Sequence, residues 1–210
     1  MISGHYLWWL VSRASGIVAL CLISLSVLLG LAMAARIVRG RGKRSVRALH
    51  EHLTVVALVA IAGHGLALLG DTWLKPGVDG ITVPFALGYR PVWTGLGIIA
   101  GYLAVLLGPS YYLRRRIGTR LWRRMHRAIV LVWLLSVLHT LGAGSDAGTF
   151  WLRAIIALSA IPIVYALTLR LLSPRRPAGR DRDAVSVVSA PTRPRPRTRS
   201  TRAFASVPRS

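Results

Sequence analysis

Five stretches of this sequence are long enough and apolar enough to cross a bilayer, and they limit the fold more than any other feature. Residues 14–35 and 91–113 carry no charged side chain. Residues 53–70 carry only His64, and residues 128–145 carry only His139 and no other ionisable group before Ser145. Residues 154–169 are uncharged, with Phe150, Trp151 and Leu152 extending the run beyond Arg153. A helix rising 1.5 Å per residue needs roughly 20 residues to cross a hydrocarbon core about 30 Å thick. All five runs reach that length with their flanks. The first is too long for the apolar part of a signal peptide, and its basic cluster follows it instead of preceding it. The expected fold is an all-α membrane protein, a bundle of five transmembrane helices.

Charge placement supports the same reading. The chain carries a net charge of +22, and 24 of its 28 Lys and Arg residues fall in segments 36–47, 114–127 and 170–210. A nucleic-acid binder spreads its cations over a folded face. Here basic loops alternate with uncharged runs, so membrane lipid, and no nucleic acid, is the expected partner. A soluble globular fold is excluded, and so is a disulfide scaffold, because Cys21 is the only cysteine. The opposite loops hold Asp71, Asp79 and Asp146 against Lys75 and Arg90. The excess of cations on one side predicts an outer N-terminus and a cytoplasmic tail in a multi-pass cell-membrane protein. Trp8, Trp9, Trp73, Trp93 and Trp151 fall at the outer helix ends, as an aromatic belt requires.

Residues 1–172 are expected to form the membrane domain and residues 173–210 a disordered basic tail. The tail is rich in Pro, Arg and Ser and too poor in apolar residues to bury a core. It suits a tether on anionic lipid, at about 1 kcal/mol per basic residue near the surface, or a docking arm for an acidic partner.

Chemistry in such a chain must come from polar groups inside the membrane, which are expensive to keep there. Four histidines stand out, His50 and His64 on the second helix and His126 and His139 on the fourth. Both helices run in the same direction. The 14-residue step from His50 to His64 rises about 21 Å, and the 13-residue step from His126 to His139 covers nearly the same height. Two imidazoles at one depth can ligate an iron from both sides. A zinc site would want about four ligands at one depth, and each level offers two.

Rotation fits less well: 14 steps of 100° return to within about 40° of one face, while 13 steps miss by about 140°. The fourth helix therefore needs a tightened or distorted stretch, or its two rings must approach from different sides. Gly63 and Gly65 beside His64, and Ser136, Thr140 and Gly142 around His139, leave room for a flat ligand. A lone intramembrane histidine usually hydrogen-bonds a neighbouring helix, and His50 and His126 lie near the basic interface. The paired depths favour ligation over either role. His52 sits about 120° off the His64 face and reads as interfacial, and His5 as an outer residue. Gly97 and Gly101 form a Gly-x-x-x-Gly face suited to helix packing.

The stretches Leu49-His50-Glu51-His52-Leu53, Ala62-Gly63-His64, Trp122-Arg123-Arg124-Met125-His126 and Leu138-His139 resemble the ferric reductase-like transmembrane domain family. Arg13-Ala14-Ser15-Gly16 and Tyr89-Arg90-Pro91 resemble its short bacterial members. The resemblance covers about residues 8–172. It implies two stacked b-type haems, His50 with His126 holding the inner one and His64 with His139 the outer one. Arg13 and Arg90 would then be placed to meet the outer haem's propionates, since a guanidinium fork matches carboxylates. Near the inner haem Arg47, Arg123, Arg124 and Arg127 are all available.

Many members have six helices, and larger ones continue into a flavin- and nicotinamide-binding domain. The tail has neither strand-forming runs nor a Gly-x-Gly-x-x-Gly turn from which to build one. The implied role is an oxidoreductase component. It would carry electrons between a cytoplasmic-side donor, a flavoprotein or quinol, and an outer-side acceptor. Two other readings remain open from the residues alone. A haem-free histidine-lined proton or metal transporter would prefer buried carboxylates, and Glu51 is the only acid near the helix cores. A membrane anchor for a partner held by the tail gives no reason for four histidines at two depths.

Overall fold

The computed structural model describes residues 4–35, 37, 38, 40 and 42–172. The tail expected to be disordered lies outside the described residues, as do Arg36, Arg39 and Arg41 and the side chain of His5. Every regular element among the described residues is helical: α1 (Gly4–Ala34), α2 (Gly42–Leu68), α3 (Gly77–Thr82), α4 (Pro91–Leu107), α5 (Ser110–Ile117), α6 (Thr119–His126), α7 (Ile129–Ala143) and α8 (Phe150–Leu172).

Four spans are long and apolar enough to cross a membrane, Tyr6–Ala34, Gly42–Leu68, Thr119–Ala143 and Phe150–Leu172. The third apolar run supplies a fifth when α4 and α5 count as one bent span. They meet at 56° around Gly108 and Pro109. Pro109 has no N–H to donate and its ring crowds the carbonyl one turn back, so the helix turns aside there. Gly108 presses on α2, where an added Cβ would lie 3.3 Å from Thr54 and Leu58.

The fourth span is interrupted at Arg127 and Ala128. The Ala128 amide bonds the Met125 carbonyl at 2.8 Å and the Leu131 amide bonds the Ala128 carbonyl at 2.9 Å, both over three residues. Three-residue bonds wind the chain about 120° per residue instead of 100°. A tightened stretch thus lies between His126 and His139 and makes up part of the rotation that the 13-residue step misses.

α1 is the hub. It packs most extensively on α2 and also touches α7 and α8, while α4 packs on α7. Leu20, Ile23, Val27 and Leu31 of α1 are buried at helical steps of three and four, and they meet Ala57, Trp133, Val137, Leu152, Ile156 and Ile163. The Trp133 indole donates to the Ser24 hydroxyl at 3.1 Å inside this core. Outward faces stay apolar, with Val59, Val105, Leu158, Ile161 and Val164 all exposed. In water such faces would favour aggregation; in lipid they are the solvent-matched surface.

The two ends of the bundle differ in chemistry. Trp8 of α1 lies against Gly70 after α2, Trp93 of α4 lies against Gly142 of α7, and Trp73 meets Tyr89 at 5.9 Å. These contacts gather tryptophans at one end. At the other, Arg47 and Arg114 both sit over the Tyr111 ring.

Candidate functional site

α1 and α2 build the first half of the site. Ser12-x-x-x-Gly16 recurs in α1 as Ser26-x-x-x-Gly30, with the 14-residue step that separates His50 from His64 in α2. The helices run antiparallel, so Ser12 meets His64 and Ser26 meets His50. His64 donates from Nδ1 to the Ser12 carbonyl at 2.8 Å, with the Ser12 hydroxyl 3.1 Å from the same nitrogen. That hydroxyl donates to the His64 carbonyl at 3.0 Å. His50 donates from Nδ1 to the Ser26 carbonyl at 2.9 Å, with the Ser26 hydroxyl at 3.0 Å. Ser26 also lies 3.0 Å from the Thr54 hydroxyl, which donates to the His50 carbonyl at 2.8 Å. Gly16 lets α1 approach its ring, since a Cβ there would lie 2.9 Å from His64 Nδ1, whereas one on Gly30 would make ordinary contact at 3.5 Å from His50 Cε1.

α4, α6 and α7 build the second half. His139 donates from Nδ1 to the Trp93 carbonyl at 2.9 Å. A Cβ on Gly97 would lie 2.5 Å from that nitrogen, so Gly97 serves the imidazole, while Gly101 lies 3.7 Å from Ile61 and serves helix packing. His126 ends α6 and stacks on Trp122, with ring centres 5.2 Å apart and planes 23° apart. The Leu107 carbonyl faces His126 but lies outside hydrogen-bond geometry. His126 Nδ1 and Trp122 Nε1 are both buried without a partner among the described residues.

The four imidazoles form two facing pairs. His64 and His139 have ring centres 6.0 Å apart with planes at 74°, and His50 and His126 are 6.3 Å apart at 87°. A cavity at the second pair is lined by Ser26, Thr54, Ala57, Ile61, Ala104 and Val132.

The donor chemistry suits metal ligation. A carbonyl only accepts, so a ring that bonds one through Nδ1 carries its proton there and leaves the Nε2 lone pair free. His50, His64 and His139 are set this way, and an acceptor on the far nitrogen also raises ligand basicity. Metal–nitrogen bonds of about 2.0 Å, with about 1.2 Å from each nitrogen to its ring centre, place two axial imidazoles ~6.4 Å apart. The observed separations match that figure. No cluster of three or more His, Cys, Asp or Glu able to hold a metal occurs among the described residues.

The other singled-out residues have different surroundings. His52 is exposed and donates from Nδ1 to the Ala48 carbonyl of its own helix at 2.7 Å. Arg13 grips Asp146 with both Nε and Nη2 and lies 4.9 Å over the Trp9 ring. Arg90 caps α4 in the left-handed region at φ 44° and donates to the Gly142 carbonyl, one turn beyond His139. Arg47 bonds the Tyr111 hydroxyl, and Arg127 donates to the Arg123 carbonyl at 3.2 Å. Asp71 is buried and accepts the Trp73 and Leu74 amides at 2.9 and 3.0 Å, an Asx turn after α2.

The sequence alone assigns no role to Ser12, Ser26 or Gly30, and Gly16 and Trp122 enter it only within stretches that carry the family resemblance. A repeated Ser-x-x-x-Gly at the histidine step was the available signal for the first four. Trp122 had a weaker one, since it stands one helical turn before His126.

The chain is 32% identical, over 127 residues, to the protein-methionine-sulfoxide reductase heme-binding subunits of Salmonella arizonae, Salmonella paratyphi B and Salmonella newport. The alignment covers 59% of this chain and 50% of each relative. The chain thus spans about half the length of the curated relatives it matches. No solved structure matches. The sequence profile described as "Ferric reductase like transmembrane component" matches residues 15–137, taking in His50, His64 and His126 and stopping just short of His139. With more than half of its length inside that profile, this multi-pass membrane chain belongs to the ferric reductase-like transmembrane component family.

Proposed function

We propose that the chain is a haem b electron-transfer subunit of the membrane. The observation that carries this reading is the two imidazole pairs, each with ring centres 6.0–6.3 Å apart, a spacing at which both rings could hold one metal. The names of the relatives, heme-binding subunits of a reductase, support the choice of haem. Haem iron, when bound, cycles between ferric and ferrous states and so handles one electron at a time.

In this reading His50 and His126 hold an inner haem, and His64 and His139 hold an outer one. The protein's part is to fix the rings. Carbonyls of Ser12, Ser26 and Trp93 keep three imidazoles in the tautomer that presents Nε2. Apolar residues around them, such as Ala57, Ile61 and Val132, keep water away. Arg90 at the tryptophan-rich end is a propionate partner, and Arg13 keeps Nη1 for one while Asp146 occupies its other edge.

The arginine-rich end faces the cytoplasm, where seven arginines in 114–127 meet a negatively charged leaflet. A flavoprotein or quinol donates electrons there, and a separate acceptor collects them outside. Residues 173–210 act as a basic tail that adds affinity for anionic lipid. Absorption spectra of the purified protein, oxidised and then dithionite-reduced, test the reading. Low-spin bis-histidine spectra at about two haems per chain are expected. Protein that stays colourless after haem supplementation overturns it.

A further inference from the structure

We infer that Ser12 and Ser26 are positioning residues that tune the two centres separately, one hydroxyl for each level. The inference rests on the haem reading above. Each serine hydroxyl lies 3.0–3.1 Å from the Nδ1 of one histidine on α2 and touches neither histidine of the other level. Each also belongs to a local ring of bonds. Ser12 donates back to the His64 carbonyl, and Ser26 reaches the His50 carbonyl through Thr54. A ring of this kind fixes the imidazole by its nitrogen and by its own backbone, so the ring cannot turn without breaking two bonds. The hydroxyl lone pair facing Nδ1–H adds to the carbonyl's pull on that proton and makes the ring a stronger donor through Nε2. A stronger axial donor stabilises the ferric over the ferrous state.

The same geometry makes the two levels unequal. At the outer level both His64 and His139 have an Nδ1 acceptor. At the inner level only His50 has one in good geometry, while His126 faces the Leu107 carbonyl with its Nδ1 unpartnered among the described residues. The outer centre therefore has the lower midpoint potential.

The test is a spectroelectrochemical titration of the full chain in lipid nanodiscs, with electron paramagnetic resonance of the ferric state. Ser12→Ala should raise the lower midpoint only and Ser26→Ala the higher only. Each should change the reduced-to-oxidised ratio at fixed potential about threefold, roughly 30 mV on a scale of 59 mV per decade for one electron. Ser12→Thr, which keeps the hydroxyl, should restore the wild-type value. Gly16→Ala places a Cβ 2.9 Å from His64 Nδ1 and should move the outer resonance alone, whereas Gly30→Ala, at 3.5 Å from His50, should leave both signals in place. A two-haem wild type in which Ser12→Ala shifts neither midpoint, or both equally, overturns the positioning role and leaves the haem reading standing. A wild type without haem overturns both.

Discussion

At the tryptophan-rich end, both imidazoles of the pair bond a carbonyl through Nδ1, and Gly16 and Gly97 press close against the rings. At the arginine-rich end only His50 is held in that way, and its glycine stands farther off. His126 instead leans on the flat face of Trp122, with both buried nitrogens unpartnered among the described residues. The donor sets are the same and the supports differ. A directional hydrogen bond plus a steric stop fixes a ring in rotation and in depth, whereas stacking fixes only its plane. The pair at the tryptophan-rich end is built for one geometry. The pair at the arginine-rich end keeps two buried nitrogens without a partner among the described residues.

The largest expected effect is the loss of one level with the other intact. His64→Ala or His139→Ala should remove about half of the haem and leave a centre that is reducible from the arginine-rich side. His50→Ala or His126→Ala should do the converse. Haem content by pyridine haemochrome, with reduced spectra, checks this. A single substitution that empties both levels would show that the pairs do not stand independently.

A smaller effect tests the steric stop. Gly97→Ala would put a Cβ 2.5 Å from His139 Nδ1. Overpacking of that kind costs about 1–3 kcal/mol, and the outer haem should be lost or strongly perturbed. Gly42→Ala, at the start of α2 and away from the histidines, is the control, because nothing lies within 4 Å of its added Cβ. On helix propensity alone it should be neutral or gain up to about 1 kcal/mol. Equal haem loss in the two variants would remove the steric argument.

Much of this contrast was readable in the chain. Hydrophobic runs are one-dimensional signals, so the spans and the depth of each histidine follow from counting residues along a helix. The bend at Pro109 was equally local and lay in plain view as Gly108-Pro109. Two features resisted. The winding between His126 and His139 depends on three-residue bonds at Ala128 and Leu131, which no residue type there announces. The supports of the rings are mostly backbone carbonyls, of Ser12, Ser26 and Trp93, and a carbonyl has no sequence signature. Only their side chains leave a trace, in the Ser-x-x-x-Gly repeat. Asp146 reads in sequence as an ordinary loop acid, yet it is buried against Arg13 across 133 residues of chain, a pairing that exists only in the fold.

That ion pair supplies the next test. It ties the start of α1, beside Ser12, to the loop after α7, beyond His139. Asp146→Asn removes the charge and leaves the Arg13 guanidinium with a weaker acceptor in a partly buried place. The expected loss is about 1–3 kcal/mol, seen as a lower thermal midpoint in detergent. Because Arg13 is one-third exposed, salt should reduce the difference. A midpoint unchanged at low salt would mean that the pair holds nothing together.

The smallest effect is expected at His52, and it tests the register of α2. His50 and His52 are two residues apart, so they point about 160° from each other around the helix. His50 faces α1 and the inner pair. His52 is exposed, and its Nδ1 is occupied by the Ala48 carbonyl of the same helix. His52→Ala removes a side chain that touches no other element in any hydrogen bond given by the fold, so stability should change by no more than about 0.5 kcal/mol. Haem content and both midpoints should stay at wild-type values. Since a helix cannot present both residues to α1, the two substitutions must behave oppositely. If His52→Ala costs a haem and His50→Ala does not, α2 is rotated by about half a turn from the arrangement described, and the Ser26 contact belongs to another residue.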